Sequence, residues 1–209
     1  MARRASSGPV RKRADRYHHG DLRRGLLQAA VRTIRSHGVD GLTLRGVGSA
    51  LGVSRSALYR HFIDKAALLA AVAAEGFRTL RTELTESWER AGQGLAGFEA
   101  MGNAYVRFAV THPSHYRVMF GADIVSLEHA ELGEAGAAAF QVLVDAITAL
   151  QAQQQARRDD PRQMALFVWA AVHGVAMLAI DGRLGSESSA VDGLARYTTD
   201  RIQAAIAVS

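Results

Sequence analysis

The ten residues Val53–Phe62 read VSRSALYRHF. They hold two arginines, two serines, a tyrosine and a histidine, and only Val53, Ala57, Leu58 and Phe62 are apolar. A guanidinium can donate two parallel hydrogen bonds to O6 and N7 of guanine, and a serine hydroxyl can bond several bases. Tyrosine and histidine can reach phosphate oxygens. This is chemistry suited to a nucleic acid: Arg55 and Ser56 for base edges, Tyr59 and His61 for the backbone. No set of residues for covalent chemistry competes with it. There is no cysteine. His18-His19 stand in an arginine-rich stretch, and His112 and His115 flank Pro113 with no acid at ligand spacing. The expectation is no enzyme, no metal and no cofactor. Gly46-Val47-Gly48 followed by Gly52 looks like a dinucleotide loop, but its spacing is one residue long and no strand precedes it.

Such side chains need a helix to hold them, and the pattern around them predicts one. Apolar residues recur at helical spacing through nearly the whole chain, and no clean alternating run is present. The prediction is an all-α chain of about nine helices. The first runs from about Asp21 to His37 and stops at Gly38. Thr43 is an N-cap for the second, which ends at Gly52. Ser54 caps a short third helix through Phe62, and Asp64 caps a long fourth. Gly92 and Gly94 break that helix. A fifth follows and ends at His112-Pro113, because a residue before proline avoids the helical region. Pro113–Phe120 forms a brief helix and Glu128 to about Arg157 a long one. Asp160-Pro161 opens the next as N-cap and first helical residue. Its apolar run, Met164–Ile180, is interrupted by His173 and is short for a membrane span, so it reads as a buried helix. After a loop over 182–188, Val191, Leu194, Thr198, Ile202 and Ile206 stripe a last helix. The second helix, Gly52-Val53 and the third helix together make a helix-turn-helix, in which the later helix enters the major groove.

Charge agrees with that placement. Residues 1–65 carry 14 Lys/Arg against 4 Asp/Glu, a net +10. Residues 66–209 carry 11 against 16, a net −5. A basic head on an acidic body fits a polyanion at the head. Residues 1–17 are rich in Arg, Ser, Gly and Pro and read as a disordered basic arm. They lack the apolar segment of a secretory signal. With no cysteine, the expected setting is a reducing cytoplasm, with no membrane partner.

The stretch Leu42–Val72, LTLRGVGSALGVSRSALYRHFIDKAALLAAV, resembles the DNA-binding domain of the TetR family of bacterial transcriptional regulators. The resemblance rests on Leu42-Thr43, Gly52-Val53-Ser54, Leu58-Tyr59-x-His61-Phe62, Lys65 and Leu68-Leu69. It covers about residues 20–80, and Tyr17–Leu22 is similar to the lead-in of a subset of the family. The resemblance implies a helix-turn-helix head over 18–65, its fourth helix running on to about residue 80. It implies an effector-binding and dimerisation domain over 66–209. By position it sets Arg45, Arg55, Ser56 and Ala57 towards bases. Thr43, Tyr59, His61 and Lys65 fall to phosphates, with Ser54 at the start of the helix. Gly46 and Gly48 depart from the family pattern and would each cost the second helix roughly 1 kcal/mol relative to alanine. Ala66 stands where an acidic residue is common.

The C-terminal half is less explicit. Trp169-x-x-x-His173-Gly174 resembles a signature of a WHG-type subgroup of the family. The helix that carries it and the last helix are candidates to pair with their copies across a twofold axis, with Trp169, His173, Gly174, Leu194 and Thr198 at the seam. An effector pocket between the fourth and eighth helices has Trp88, Met101, Tyr105, Phe108, Met119, Phe140 and Phe167 as candidate walls. The lack of clustered charge in these stripes favours an apolar, uncharged effector. The reading is thus a ligand-responsive regulator, most naturally a repressor, that binds a near-palindromic double-stranded operator as a homodimer. The rival is an architectural DNA-binding protein without a ligand, against which the roughly 130 residues after the head argue.

Overall fold

In the computed structural model, residues 19–125, 129–185 and 188–208 are described. The basic arm, the Tyr17-His18 lead-in and Glu128 lie outside them. The described residues form ten helices and no strand: α1 His19–His37, α2 Leu44–Ala50, α3 Arg55–Tyr59, α4 Lys65–Arg90, α5 Gly94–Thr111, α6 Pro113–Met119, α7 Ala122–Val125, α8 Ala130–Ala152, α9 Pro161–Ile180 and α10 Ser188–Ile206. The four-residue α7 is the element that periodicity does not reveal. Helix α3 stops at Tyr59, three residues before the expected Phe62, and α8 ends at Ala152 rather than near Arg157.

Side-chain caps set the starts. Thr43 Oγ1 accepts from Gly46 N at 3.0 Å, Ser54 Oγ from Ala57 N at 3.3 Å and Asp64 Oδ1 from Ala67 N at 2.7 Å. Asp160 Oδ1 accepts from Arg162 N at 2.8 Å and Gln163 N at 3.1 Å. Each satisfies amide donors that the first helical turn leaves without an intrahelical partner. Between α2 and α3 the chain turns at Gly52, whose φ of 64° a side chain would strain.

Helix α4 is the spine. Its 26 residues span roughly 39 Å. Its first half closes the head over Leu26, Leu42, Val47, Leu58 and Phe62, all buried. Its small residues Ala70, Ala71, Ala73, Ala74 and Gly76 are buried and let neighbouring helices approach. Helices α5, α6 and α8 pack against it, and α9 and α10 close the body over α5.

Helices α8 and α9 are long and apolar enough to cross a membrane by length and composition alone. The buried-helix reading of Met164–Ile180 needs correction. Met164, Ala165, Val168, Val172, Val175 and Ala176 are buried, but Leu166, Phe167, Met177 and Leu178 are 36–52% exposed. An all-round apolar helix has two faces, and within one chain only one of them meets a neighbour.

Candidate nucleic-acid interface and internal cavity

The two short helices of the head present one polar surface. Arg45 is the second residue of α2; Arg55 and Ser56 open α3; all three are exposed. Tyr59, one turn further on, is 44% exposed. Arg45, Ser49, Val53, Arg55, Leu58 and Tyr59 line a groove of about 450 Å³ across the α2–α3 junction. The Arg55 guanidinium lies 5.7 Å from the centroid of the Tyr59 ring, a cation–π distance that draws the arginine back along its own helix. Ser56 Oγ is 3.2 Å from Ser54 Oγ. Neither α2 nor α3 has an acidic residue in its first turn, so their positive ends are not neutralised there. Ser49 is absent from the sequence reading. It lies four residues after Arg45, a helical spacing that marks it as sharing that face.

Of the remaining head candidates, Thr43 and Ser54 are exposed and the others sit deeper. Leu58 and Phe62 are core, as expected; Val53 and Ala57 are half-buried. His61 is half-buried as well. Lys65 Nζ donates to Val39 O at 2.8 Å, tying the start of α4 to the loop before α2. That bond uses one of three ammonium donors. Gly48 has a packing role: a Cβ there would come within 3.2 Å of Leu58 Cδ2, so the missing side chain lets α3 lie close on α2.

In the body, α4, α5, α8 and α9, with Phe120 just after α6, line a partly open chamber of about 100 Å³, walled chiefly by Phe77, Tyr105, Phe120, Phe140, Leu143 and Trp169. A smaller space of about 30 Å³ lies beyond it, towards Met101 and Ile202, and shares Leu84, Tyr105 and Leu143 as walls. Of the expected pocket residues, Tyr105 and Phe140 line the chamber and Met101 the smaller space. Phe108 and Met119 are buried in the core, and Trp88 packs on Gly97. Phe167 corrects the expectation outright: it is 52% exposed on the outer face of α9, because the other stripe of that helix faces inward.

Trp169 and His173 also turn inward rather than towards a seam. Trp169 Nε1 donates to Tyr105 Oη at 2.9 Å. The Tyr105 and Tyr116 hydroxyls are 3.0 Å apart, and Tyr116 Oη is 2.7 Å from His173 Nδ1. Tyr105 Oη is also 3.1 Å from that nitrogen. With His173 neutral and protonated on Nε2, the relay runs from Trp169 to Tyr105, from Tyr105 to Tyr116 and from Tyr116 to His173 Nδ1. Burial lowers the pKa of His173, which keeps the imidazole neutral. Burial pushes Tyr105 up to about 12 and, joined by the neighbouring Tyr105, raises Tyr116 as well, so both hydroxyls keep their protons. Gly174 is exposed, and a Cβ there would meet nothing within 4 Å; Leu194 and Thr198 are half-buried.

Two acids from α4 reach histidines that the sequence left without partners. His112 Nε2 is 3.5 Å from Glu83 Oε1, and His115 Nε2 is 3.9 Å from Glu75 Oε2. Among the described residues no group of three or more His, Cys, Asp or Glu side chains could hold a metal ion. Head and body are joined through Glu131 at the start of α8. It pairs with Arg23 of α1 at 3.1 Å and Arg78 of α4 at 3.0 Å. Arg23 also lies over the Phe62 ring.

Residues 26–72 match the family described as bacterial regulatory proteins, tetR family, and residues 98–202 match a tetracyclin repressor-like C-terminal domain. The chain belongs to the TetR family. The C-terminal description names no narrower subgroup, so the WHG-type assignment stays with the signature alone. Among solved structures, a Rhodococcus sp. RHA1 protein described as of unknown function is 36% identical, with a TM-score of 0.82, 93% of this chain and 100% of that one being covered. A TetR-family transcriptional regulator from Pectobacterium atrosepticum shares the fold at 20% identity and a TM-score of 0.72, over 95% and 99% of the two chains. Among curated relatives, the HTH-type transcriptional repressor Rv1474c of Mycobacterium tuberculosis is 41% identical over 58 residues, which are 28% of this chain and 31% of that protein. The chain thus spans about a third of the length of the first curated relatives it matches.

Proposed function

We propose that this TetR-family chain is a cytoplasmic, ligand-responsive transcriptional regulator, a repressor by preference. In this reading the head occupies double-stranded operator DNA and a small apolar molecule in the body releases it. The observation that carries the reading is the exposed Arg45–Arg55–Ser56–Tyr59 surface on a capped helix-turn-helix, in the part of the chain with net charge +10. Arg45, Arg55, Ser56 and Ala57 contact base edges. Thr43, Tyr59, His61 and Lys65 hold the backbone, and Ser54 fixes where the recognition helix begins. Lys65 serves two ends, since its bond to Val39 O also seats the loop before α2.

The active form is a homodimer. The exposed apolar face of α9, with Leu166, Phe167, Met177 and Leu178 around Gly174, meets its copy, helped by α10 around Leu194 and Thr198. Two heads so related sit about one DNA turn apart, roughly 34 Å, and select a near-palindrome. The effector acts through α4 and Glu131: occupancy of the body favours a head separation that no longer fits the operator.

The test is selection of binding sites from random duplex DNA, with light scattering on the free protein. A dimer and an enriched inverted repeat with half-sites 10–10.5 base pairs apart, or a multiple of that spacing, are expected. A stable monomer at micromolar concentration would remove the dimer. Binding that follows salt but enriches no sequence would favour the architectural alternative.

A further inference from the structure

We infer that the chamber between α4, α5, α8 and α9 is a site for a neutral, single-ring aromatic hydrocarbon, a molecule of the benzene or toluene class. This deepens the proposed function, because it names the chemical class of the effector, and it rests on that reading only for its regulatory meaning.

Three observations select the class. The first is size. The chamber measures about 100 Å³, with about 30 Å³ more behind Leu84, Tyr105 and Leu143. A void of roughly 150 Å³ lined by Leu, Ile and Phe stays dry and takes up benzene. The chamber is smaller than that, which limits it to one ring with at most a short substituent, and Leu84, Tyr105 and Leu143 part it from the annex.

The second is hydrogen-bond arithmetic. The polar atoms nearest the chamber belong to Tyr105 and Trp169, and both already serve in the relay that ends on His173. The Trp169 N–H is spent on Tyr105, the Tyr105 O–H on Tyr116 and the Tyr116 O–H on His173. No donor is left for a carbonyl or a carboxylate. The walls are carbon almost throughout and hold no lysine, arginine or acid. Arg162 stacks on Phe140 at 5.3 Å but is not among the walls. A charged ligand would lose its hydration for nothing in return. Water finds too few polar partners to fill the space.

The third is wall geometry. Phe77 and Phe120 meet edge to face at 5.5 Å and 83°, and Phe140 and Trp169 at 6.0 Å and 63°. Rings set on edge around a small space favour a flat aromatic guest over a branched alkane, because offset and edge-to-face contacts add to simple area burial.

The test uses full-length protein with toluene, benzoate and benzylamine as probes, read by thermal unfolding and by tryptophan fluorescence. Toluene at ten times its dissociation constant should raise Tm by roughly 3–6 °C. It should also change the Trp169 emission saturably. Benzoate and benzylamine should do neither at the same concentration. Ala139→Leu places three more carbons at the chamber wall and should abolish the toluene shift. Leu143→Ala opens the partition to the smaller space and should admit naphthalene, which the parent protein excludes. The second variant keeps the test usable if the first does not fold. Benzoate matching toluene would overturn the inference, as would no response to toluene, or an undiminished toluene shift in folded Ala139→Leu. Operator binding without any probe is measured alongside. DNA binding intact with no toluene response sinks the ligand class alone, whereas toluene uptake without a selected DNA sequence sinks the regulatory reading alone.

Discussion

In the head, the side chains of Arg45, Arg55, Ser56 and Tyr59 lie on an exposed surface; in the body, the hydroxyls of Tyr105 and Tyr116 end on each other and on His173. Both regions are helical and both bury leucine and phenylalanine. What separates them is where their polar groups point. A surface that leaves its donors unspent suits a polyanion, since phosphate and base edges supply the missing acceptors. A relay that spends its hydroxyl donors on itself suits a guest that needs none. On the proposed reading, one chain meets two recognition problems by opposite uses of the same groups.

Removing a hydroxyl from each region should therefore have opposite effects, and the largest lies in the body. Tyr116→Phe removes the hydroxyl that accepts from Tyr105 and donates to His173, leaving only the longer 3.1 Å Tyr105–His173 contact to close the relay. A loss of about 1–3 kcal/mol is expected in denaturant unfolding, with operator preference unchanged. Asp64→Ala lies between the regions, where the head hands over to α4. Loss of the 2.7 Å cap bond should cost about 1 kcal/mol, measured the same way. Ser56→Ala is the counterpart in the head. Its stability should stay within about 0.5 kcal/mol of the parent, while base preference next to the Arg55 position relaxes. If Ser56→Ala and Tyr116→Phe unfold alike, the comparison fails.

Acid should sharpen the contrast further, in direction if not in size. His115 and His173 both have their pKa lowered chiefly by burial, from an ordinary 6.5. Below about pH 6.5 the unfolded chain takes up these protons while the folded chain does not. Stability is then complete above that pH and declines as pH falls towards the folded values. His173→Gln should flatten that decline in urea titrations across pH 7 to 5. A slope equal to the parent's would show that His173 takes no part in it.

The two regions also differed in how much the sequence revealed. Thr43, Ser54 and Asp64 cap their helices as expected because a cap is local, closed within three residues. The recognition face was legible for the same reason: Arg55, Ser56 and Tyr59 share one short helix. Helix α3 still ends early, since Phe62 turns into the core from a non-helical backbone and periodicity carries no mark of that. The body resisted. Two of the three partners of Tyr105 lie 64 and 68 residues away in sequence, and the third, Tyr116, stands on a separate helix, so nothing local announces the relay. Helix α9 is apolar on both faces, and spacing alone did not say which stripe turns inward; Phe167, expected in the pocket, is exposed, and Trp169 lines the chamber. Glu75 and Glu83 reach their histidines from another helix altogether.

The central claim is that α3 reads sequence while α4 and its surroundings hold the backbone. Binding of the parent, Arg55→Ala and Lys65→Ala across a library of operator variants at several salt concentrations tests it most directly. Arg55→Ala should lose roughly 1–3 kcal/mol of discrimination at one position per half-site and keep the rest. Lys65→Ala should weaken all variants alike and lessen the salt slope. Indistinguishable profiles for the two variants would contradict the account.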